Sequence, residues 1–235
     1  LFSDFESSSP FTGWITGTQS CKTCPYSFAV STEQKRAGSK SLRFEVRDQA
    51  DNIVSKKHRS EIIRETGEKD DYNGWYGMSF FLQDWAYDAE PESIVQWHHS
   101  ESAGSPPFAI WIEKGDVKII HTDNVGVDIN FLRPVIGKAA DWNNKWVDVV
   151  LHIKWEPNST GIIEAWVNGV KVYTYTGVTN YANTTGNYLK LGIYKWPWTN
   201  RPGSSSVSKR VLFVDNFKIG RYDNPSVGYD DVKPV

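Results

Sequence analysis

Apolar and polar residues alternate along most of this chain with the two-residue period of a half-buried β-strand. Ser41-Leu42-Arg43-Phe44-Glu45-Val46 alternates, as does Trp75 to Leu82. Phe108 to Ile112 and Val117 to Ile120 flank Glu113-Lys114-Gly115-Asp116, a hairpin signal, and Ile162 to Val167 meets Val170 to Tyr175 across Asn168-Gly169, the strongest two-residue turn signal. Trp146 to Trp155 and Arg210 to Ile219 predict two further strands. Helical periodicity is scarce: Gln83 to Glu92 is expected to hold a short helix or an irregular loop. The frequent turn signals, without internal repeats or low-complexity linkers, predict an all-β sandwich of two antiparallel sheets, with residues 1–235 forming one domain.

Composition adds an aromatic bias: 11 Trp, 11 Tyr and 11 Phe against a single Met. Aromatic residues favour strands, and their flat faces also serve as platforms for sugar C–H faces. The net charge of -2 provides no global field for nucleic acid, yet leaves room for a local cationic site. No apolar run approaches the roughly 18 residues of a membrane span. The chain begins at Leu1 with neither a Met nor a signal-peptide pattern, as a mature or trimmed chain would. Cys21-x-x-Cys24 lacks both the βαβ context of a redox motif and the second pair of a zinc site. A short-loop disulfide in an oxidising, extracellular compartment is preferred over two free thiols. Asn158-Ser159-Thr160 and Asn183-Thr184-Thr185 are glycosylation sequons that matter only in a eukaryotic source.

Three segments carry candidate chemistry. On a strand, Tyr188-Leu189-Lys190-Leu191-Gly192-Ile193-Tyr194 puts Tyr188, Lys190, Gly192 and Tyr194 on one face and three aliphatic residues on the other, with the glycine leaving room between the polar groups. In His58-Arg59-Ser60-Glu61 the Arg59 and Glu61 side chains share a face, and the guanidinium offers a fork for a carboxylate. In Ser93-Ile94-Val95-Gln96-Trp97-His98-His99 the Ile94, Gln96 and His98 side chains share a face. Each segment has a plain structural reading: a polar sheet face, a surface ion pair, a structural histidine. Together they hold the parts for β-elimination at a uronic acid. Hydrogen bonds to the carboxylate stabilise the enolate-like transition state, a base takes the C5 proton and an acid protonates O4.

In order and spacing, Arg59-Ser60-Glu61, Gln96-Trp97-His98 and Tyr188 to Tyr194 resemble the signature of the jelly-roll polysaccharide lyases, clearest in alginate lyases and related in the glucuronan lyase and heparin lyase I families. Trp146-Val147-Asp148 and Glu164-Ala165-Trp166-Val167-Asn168-Gly169 are similar to the glucuronan and heparin branch. The resemblance spans about Ser41 to Ile219 and implies a β-jelly roll, a concanavalin-like sandwich with a concave substrate groove. It implies that Arg59 and Gln96, with His98, neutralise the substrate carboxylate. Tyr194 is then the acid and also a candidate base, and Lys190 binds substrate or lowers the Tyr194 pKa. Trp97 and Lys195-Trp196 depart from the alginate lyase pattern and move the expected substrate away from alginate. Glucuronate and mannuronate present the C5 hydrogen and O4 on the same side, so Tyr194 alone can serve a syn elimination. Guluronate and iduronate need a second group, such as His98, as base.

A glucuronan-type β-1,4-polyglucuronate is therefore the expected substrate, with polymannuronate (alginate) as the alternative, and the partner is an anionic polysaccharide met by a secreted monomer. Glu61, Tyr188, Trp97, Trp196, Trp198 and Arg201 are expected to help bind it, the last three from a proline-flanked loop. No cofactor is expected for catalysis. A structural Ca²⁺ is expected between Glu6 and Asp215, its oxygen shell completed by carbonyls near Gly38 to Ser41, unless these are ordinary surface carboxylates. His121 and His152 read as structural, and His58 and His99 have the wrong parity for the site face. A non-catalytic carbohydrate-binding module would explain the aromatics but has no need of Gln96, His98 and Tyr194 together. A glycoside hydrolase needs two carboxylates across the scissile bond, and no such pair stands out.

Overall fold

The computed structural model describes residues 2–99, 104–126, 131–182, 185–220 and 226–235. Nearly all of the predicted alternation becomes strand. In one sheet the order is Val170–Gly177, Gly161–Val167, Trp146–Trp155, Tyr72–Gln83, Lys209–Gly220, Ser41–Arg47, Phe28–Ser31, with Phe2–Ser3 on the Lys209–Gly220 strand. In the other it is Phe131–Leu132, Asp116–Thr122, Phe108–Glu113, Glu92–His99, Asn187–Tyr194, Lys57–Glu68, Ile15–Gln19. Every named strand pairing is antiparallel. Several pairings join strands consecutive in the chain, among them the two hairpins whose turns were legible. Lys114-Gly115 and Asn168-Gly169 both hold positive φ at the two central positions, as the tight turn matching strand twist requires.

Between the sheets lies one continuous core, built from the inward side of each alternation. Phe44, Tyr76, Phe80 and Trp155 from the first sheet meet Trp97, Phe108, Leu189 and Leu191 from the second. Asp84 to Pro91 is an irregular loop and not a helix: Asp84 takes a positive φ, and the loop's Trp85 and Asp88 side chains are drawn inward. Cys21 and Cys24 form a disulfide with a Cα–Cα distance of 5.3 Å.

Two β-bulges adjust the central strands of the second sheet. Ser93 and Val95 face consecutive residues Trp111 and Ile110, so Ile94 is the extra residue and is buried in the core beside Val95. The expected Ile94–Gln96–His98 face is thereby corrected to Ser93, Gln96 and His98. On the next strand Gly192 sits in a bulge with φ +126°, and a Cβ there would come within 2.2 Å of the Ser60 carbonyl oxygen. Glycine is required by the close approach of the neighbouring backbone, not by room for a ligand.

Candidate active site

Strand order brings the three motif segments side by side. Asn187–Tyr194 lies between Lys57–Glu68 and Glu92–His99. The register sets Tyr194 opposite Arg59 and Ser93, Lys190 opposite Gln96, and Tyr188 opposite His98. Their side chains converge on a cavity of about 250 Å³ lined by Arg59, Gln96, His98, Lys190, Tyr194 and Trp196. Trp111 and the Gly104–Pro106 segment complete its wall.

Glu61 organises the floor without facing the cavity. It is fully buried, accepts a hydrogen bond from Gln96 Nε2 at 2.6 Å, and lies 3.6 Å from the Arg59 guanidinium. Gln96 keeps a second N–H and its carbonyl for other partners. Arg59 also donates to the Gln19 side-chain oxygen and lies over the Tyr194 ring, 4.4 Å from its centroid. Burial raises the Tyr194 pKa and Arg59 opposes that rise, so the phenol is protonated at neutral pH. The cation acting on Tyr194 is Arg59; the role assigned to Lys190 in lowering this pKa is not seen. Lys190 is itself buried, which depresses its pKa, while Glu61 supports its charge.

His98 is held in one neutral form. Its Nδ1–H donates to the His99 carbonyl at 2.9 Å, and burial, helped by Lys190 and Arg59, brings its pKa down to about 4. The Nε2 lone pair remains to accept a proton or a hydrogen bond. Tyr188 stacks on the His98 ring at 5.5 Å and 25°, fixing its plane. The cluster thus sets two cations, Arg59 and Lys190, against one carboxylate, beside a neutral imidazole and a neutral phenol.

Several expected substrate contacts lie elsewhere. Trp97 is wholly buried and donates its indole N–H to Glu68 at 3.1 Å. Trp198 is buried in the short helix Pro197–Asn200 and donates to the Val207 carbonyl at 3.1 Å. Both are core residues with a satisfied polar handle. Glu61 positions Gln96 and Arg59 and does not face a ligand. Trp196 does line the cavity, packed on Trp111 at 4.7 Å and Tyr194 at 5.1 Å. Arg201 stands at the rim of an adjoining depression, ion-paired with Glu90. His121 and His152 are hydrogen-bonded to Tyr173 and Glu164 respectively, and His58 to Thr199. Asn158 caps its own turn through Thr160; the Asn183 sequon lies outside the described residues.

Glu6 and Asp215 are both tied to the 36–40 segment. Glu6 accepts from the Ser39 and Lys40 backbone N–H groups at 2.8 and 2.7 Å, and Asp215 from those of Arg36 and Ala37 at 2.9 and 3.2 Å. The segment turns N–H donors toward the carboxylates where an oxygen shell for Ca²⁺ would need carbonyls, so the residues present do not fit the ion. Among the described residues no group of three His, Cys, Asp or Glu side chains could hold a metal ion.

Sequence reasoning missed Gln19, Trp111 and the buried cluster behind Tyr194. Lys195, wholly buried, donates to Asp88 at 2.6 Å, to the Glu90 carbonyl at 2.8 Å and to Glu92, whose carboxylate also lies 3.0 Å from Arg210. Parity does place Lys195 opposite Tyr194, but its partners come from remote segments.

No curated protein sequence matches the chain. Among solved structures it is similar to an endo-β-1,4-glucuronan lyase from the fungus Trichoderma reesei, with 18% identity and a TM-score of 0.73 over 93% of this chain and 98% of that one. It is also similar to the family-7 alginate lyase A1-II′, with 10% identity and a TM-score of 0.61 over 85% of this chain and 84% of that one. The receptor-binding domain of botulinum neurotoxin type G shares the fold at 11% identity and a TM-score of 0.51, over 82% of this chain and 40% of that one. These likenesses establish the jelly-roll fold, which by itself leaves the function open. The family is decided by sequence: the polysaccharide lyase family model matches residues 7–218, and the chain belongs to that family of lyases.

Proposed function

We propose that this lyase cleaves a β-1,4-linked polyuronate of the glucuronan type by β-elimination, leaving a 4,5-unsaturated uronate at the new chain end. The observation that carries the reading is the charge surplus in the cavity: Arg59 and Lys190 against Glu61, beside neutral His98 and Tyr194. A substrate carboxylate supplies the missing negative charge. Arg59, Lys190 and the free Gln96 N–H then hold that carboxylate and stabilise the enolate-like charge that develops when the C5 proton leaves. For glucuronate, Tyr194 first loses its phenolic proton to solvent; the phenolate then takes the C5 proton on the side that bears O4 and returns it as the C4–O4 bond breaks. One proton moves from carbon to oxygen, and no water is consumed. Arg59 over the ring stabilises the transient phenolate.

A second reading is favoured by one feature. His98 is neutral with its Nε2 free, so it can act as base with Tyr194 as acid, the arrangement an alginate lyase acting on guluronate would need. We place the enzyme outside the cell as a monomer, since its substrate is an extracellular polymer class and its Cys21–Cys24 bridge suits an oxidising compartment.

The test mixes the protein with glucuronan, polymannuronate, polyguluronate and heparin and follows ultraviolet absorbance of the conjugated product. Glucuronan is expected to react fastest, and Tyr194→Phe to reduce the rate roughly 10³-fold, within the range for losing an acid–base group. Near-normal elimination by Tyr194→Phe would refute the mechanism, and a preference for polyguluronate would move the assignment to the second reading.

A further inference from the structure

The groove does not end at Tyr194. The register carries a row across the sheet from Arg59 through Tyr194 and Ser93 to Trp111. Beyond Trp111 and Trp196 opens a second depression of about 510 Å³, with Arg133, Arg201, Glu90 and Glu113 around it. The two indoles line both spaces, so the depressions adjoin across them. Their rings meet at 4.7 Å and 55°, forming a bent aromatic ridge.

We propose that this second depression is a uronate-binding subsite, in which the Trp111–Trp196 ridge carries the sugar ring and Arg133 and Arg201 take its carboxylate. The proposal rests on the polyuronate reading above. Arg133 lies over Trp111, its Cζ 5.5 Å from the ring centroid, with its side chain 47% exposed. Its nearest carboxylate, Glu113, already accepts from Lys118 at 2.9 Å, and Arg133 stands off at 3.6 Å. Glu113 is therefore shared by two cations, and the guanidinium is left in surplus. Arg201, 57% exposed, is paired with Glu90 at the rim. Exposed pairs of this kind contribute little, so a ligand carboxylate offering a bidentate contact competes with them. The same surplus of cation over carboxylate that marks the cleavage cavity thus recurs in the adjoining depression. An indole face beside a guanidinium suits a ring that is apolar on its C–H face and charged at its edge.

The test measures binding by calorimetry, in the Tyr194→Phe background to prevent turnover, of three- and six-residue oligomers of β-1,4-glucuronate and of mannuronate. Arg133→Ala with Arg201→Ala is expected to weaken hexamer binding about tenfold or more, as for the loss of charge-assisted hydrogen bonds, while trimer binding changes less than about twofold. Equal loss for trimer and hexamer, or no loss for either hexamer, overturns the subsite. If wild-type protein eliminates none of the polymers yet the hexamer affinity still depends on Arg133 and Arg201, the subsite stands and the proposed reaction falls.

Discussion

Two charged clusters meet at consecutive residues of one strand end, and they differ in exposure and in charge balance. Lys195 and Arg210 face Asp88 and Glu92 in a sealed pocket, two cations against two carboxylates. Arg59 and Lys190 face Glu61 alone beside an open cavity. The sealed cluster is balanced, as buried charge must be in a medium that solvates it poorly. Lys195 and its hydrogen-bonded neighbours bring the Asp88 pKa down to about 2 against the opposing effect of burial. The open cluster is left one charge short, and the shortage is what a uronate supplies. The first holds the 84–92 loop and the strand end in place; the second is held ready by them.

Paired substitutions should separate the two roles. Lys195→Met leaves Asp88 and Glu92 facing one guanidinium and is expected to destabilise the fold by about 3–5 kcal/mol, the cost of breaking a buried pair, as read by denaturant unfolding. Lys190→Met removes the surplus cation. It should lower kcat/KM on polyuronate by about 10²-fold while stability holds or rises, because no carboxylate is stranded. If Lys190→Met proved as destabilising as Lys195→Met, the contrast between a structural and a functional cluster would collapse.

That contrast also explains what could be read from the sequence. Alternation and the two tight turns located the strands, because period and turn chemistry are local. The three motifs pointed to one site because strand neighbours happen to carry them at matching register. The bulges at Ile94 and Gly192 were not legible: a bulge depends on what lies across the ladder, and it reassigned Ile94 to the core. Trp97 and Trp198 were misjudged because an indole that finds a buried acceptor, Glu68 or the Val207 carbonyl, is content in the core. Lys195 was invisible as a buried cation because Asp88, Glu92 and Arg210 reach it from sequence positions far away. The missing signal in each case is the partner, not the residue.

The open cluster sets a second test, through pH. In the Tyr194-only reading the phenolate must form, and burial has raised its pKa. kcat/KM on glucuronan should then climb about tenfold per unit between roughly pH 7 and pH 9. His98, with its pKa brought down to about 4, is neutral throughout that window and adds no slope. A flat profile over the same range would give the base to His98 and leave Tyr194 as the acid alone.

The smallest effect is expected far from both clusters, at Glu6 and Asp215. Here the charges are met by backbone N–H groups of the 36–40 segment, a third solution beside ion pairing and deliberate surplus. Hydrogen bonds from Ser39 lower the Glu6 pKa. Burial raises that of Asp215 against its backbone donors. A cation that bound here would stabilise the native state by mass action, so its removal would lower Tm. With donors already in place, a Ca²⁺ chelator should leave Tm unchanged, and added Ca²⁺ should not raise it. Acidification through the depressed Glu6 pKa should instead weaken this corner, since a carboxylate stabilised in the folded state loses that contribution as it is protonated. A clear fall in Tm on chelation at neutral pH would mean that the segment can turn its carbonyls inward, and that Glu6 and Asp215 hold a metal after all.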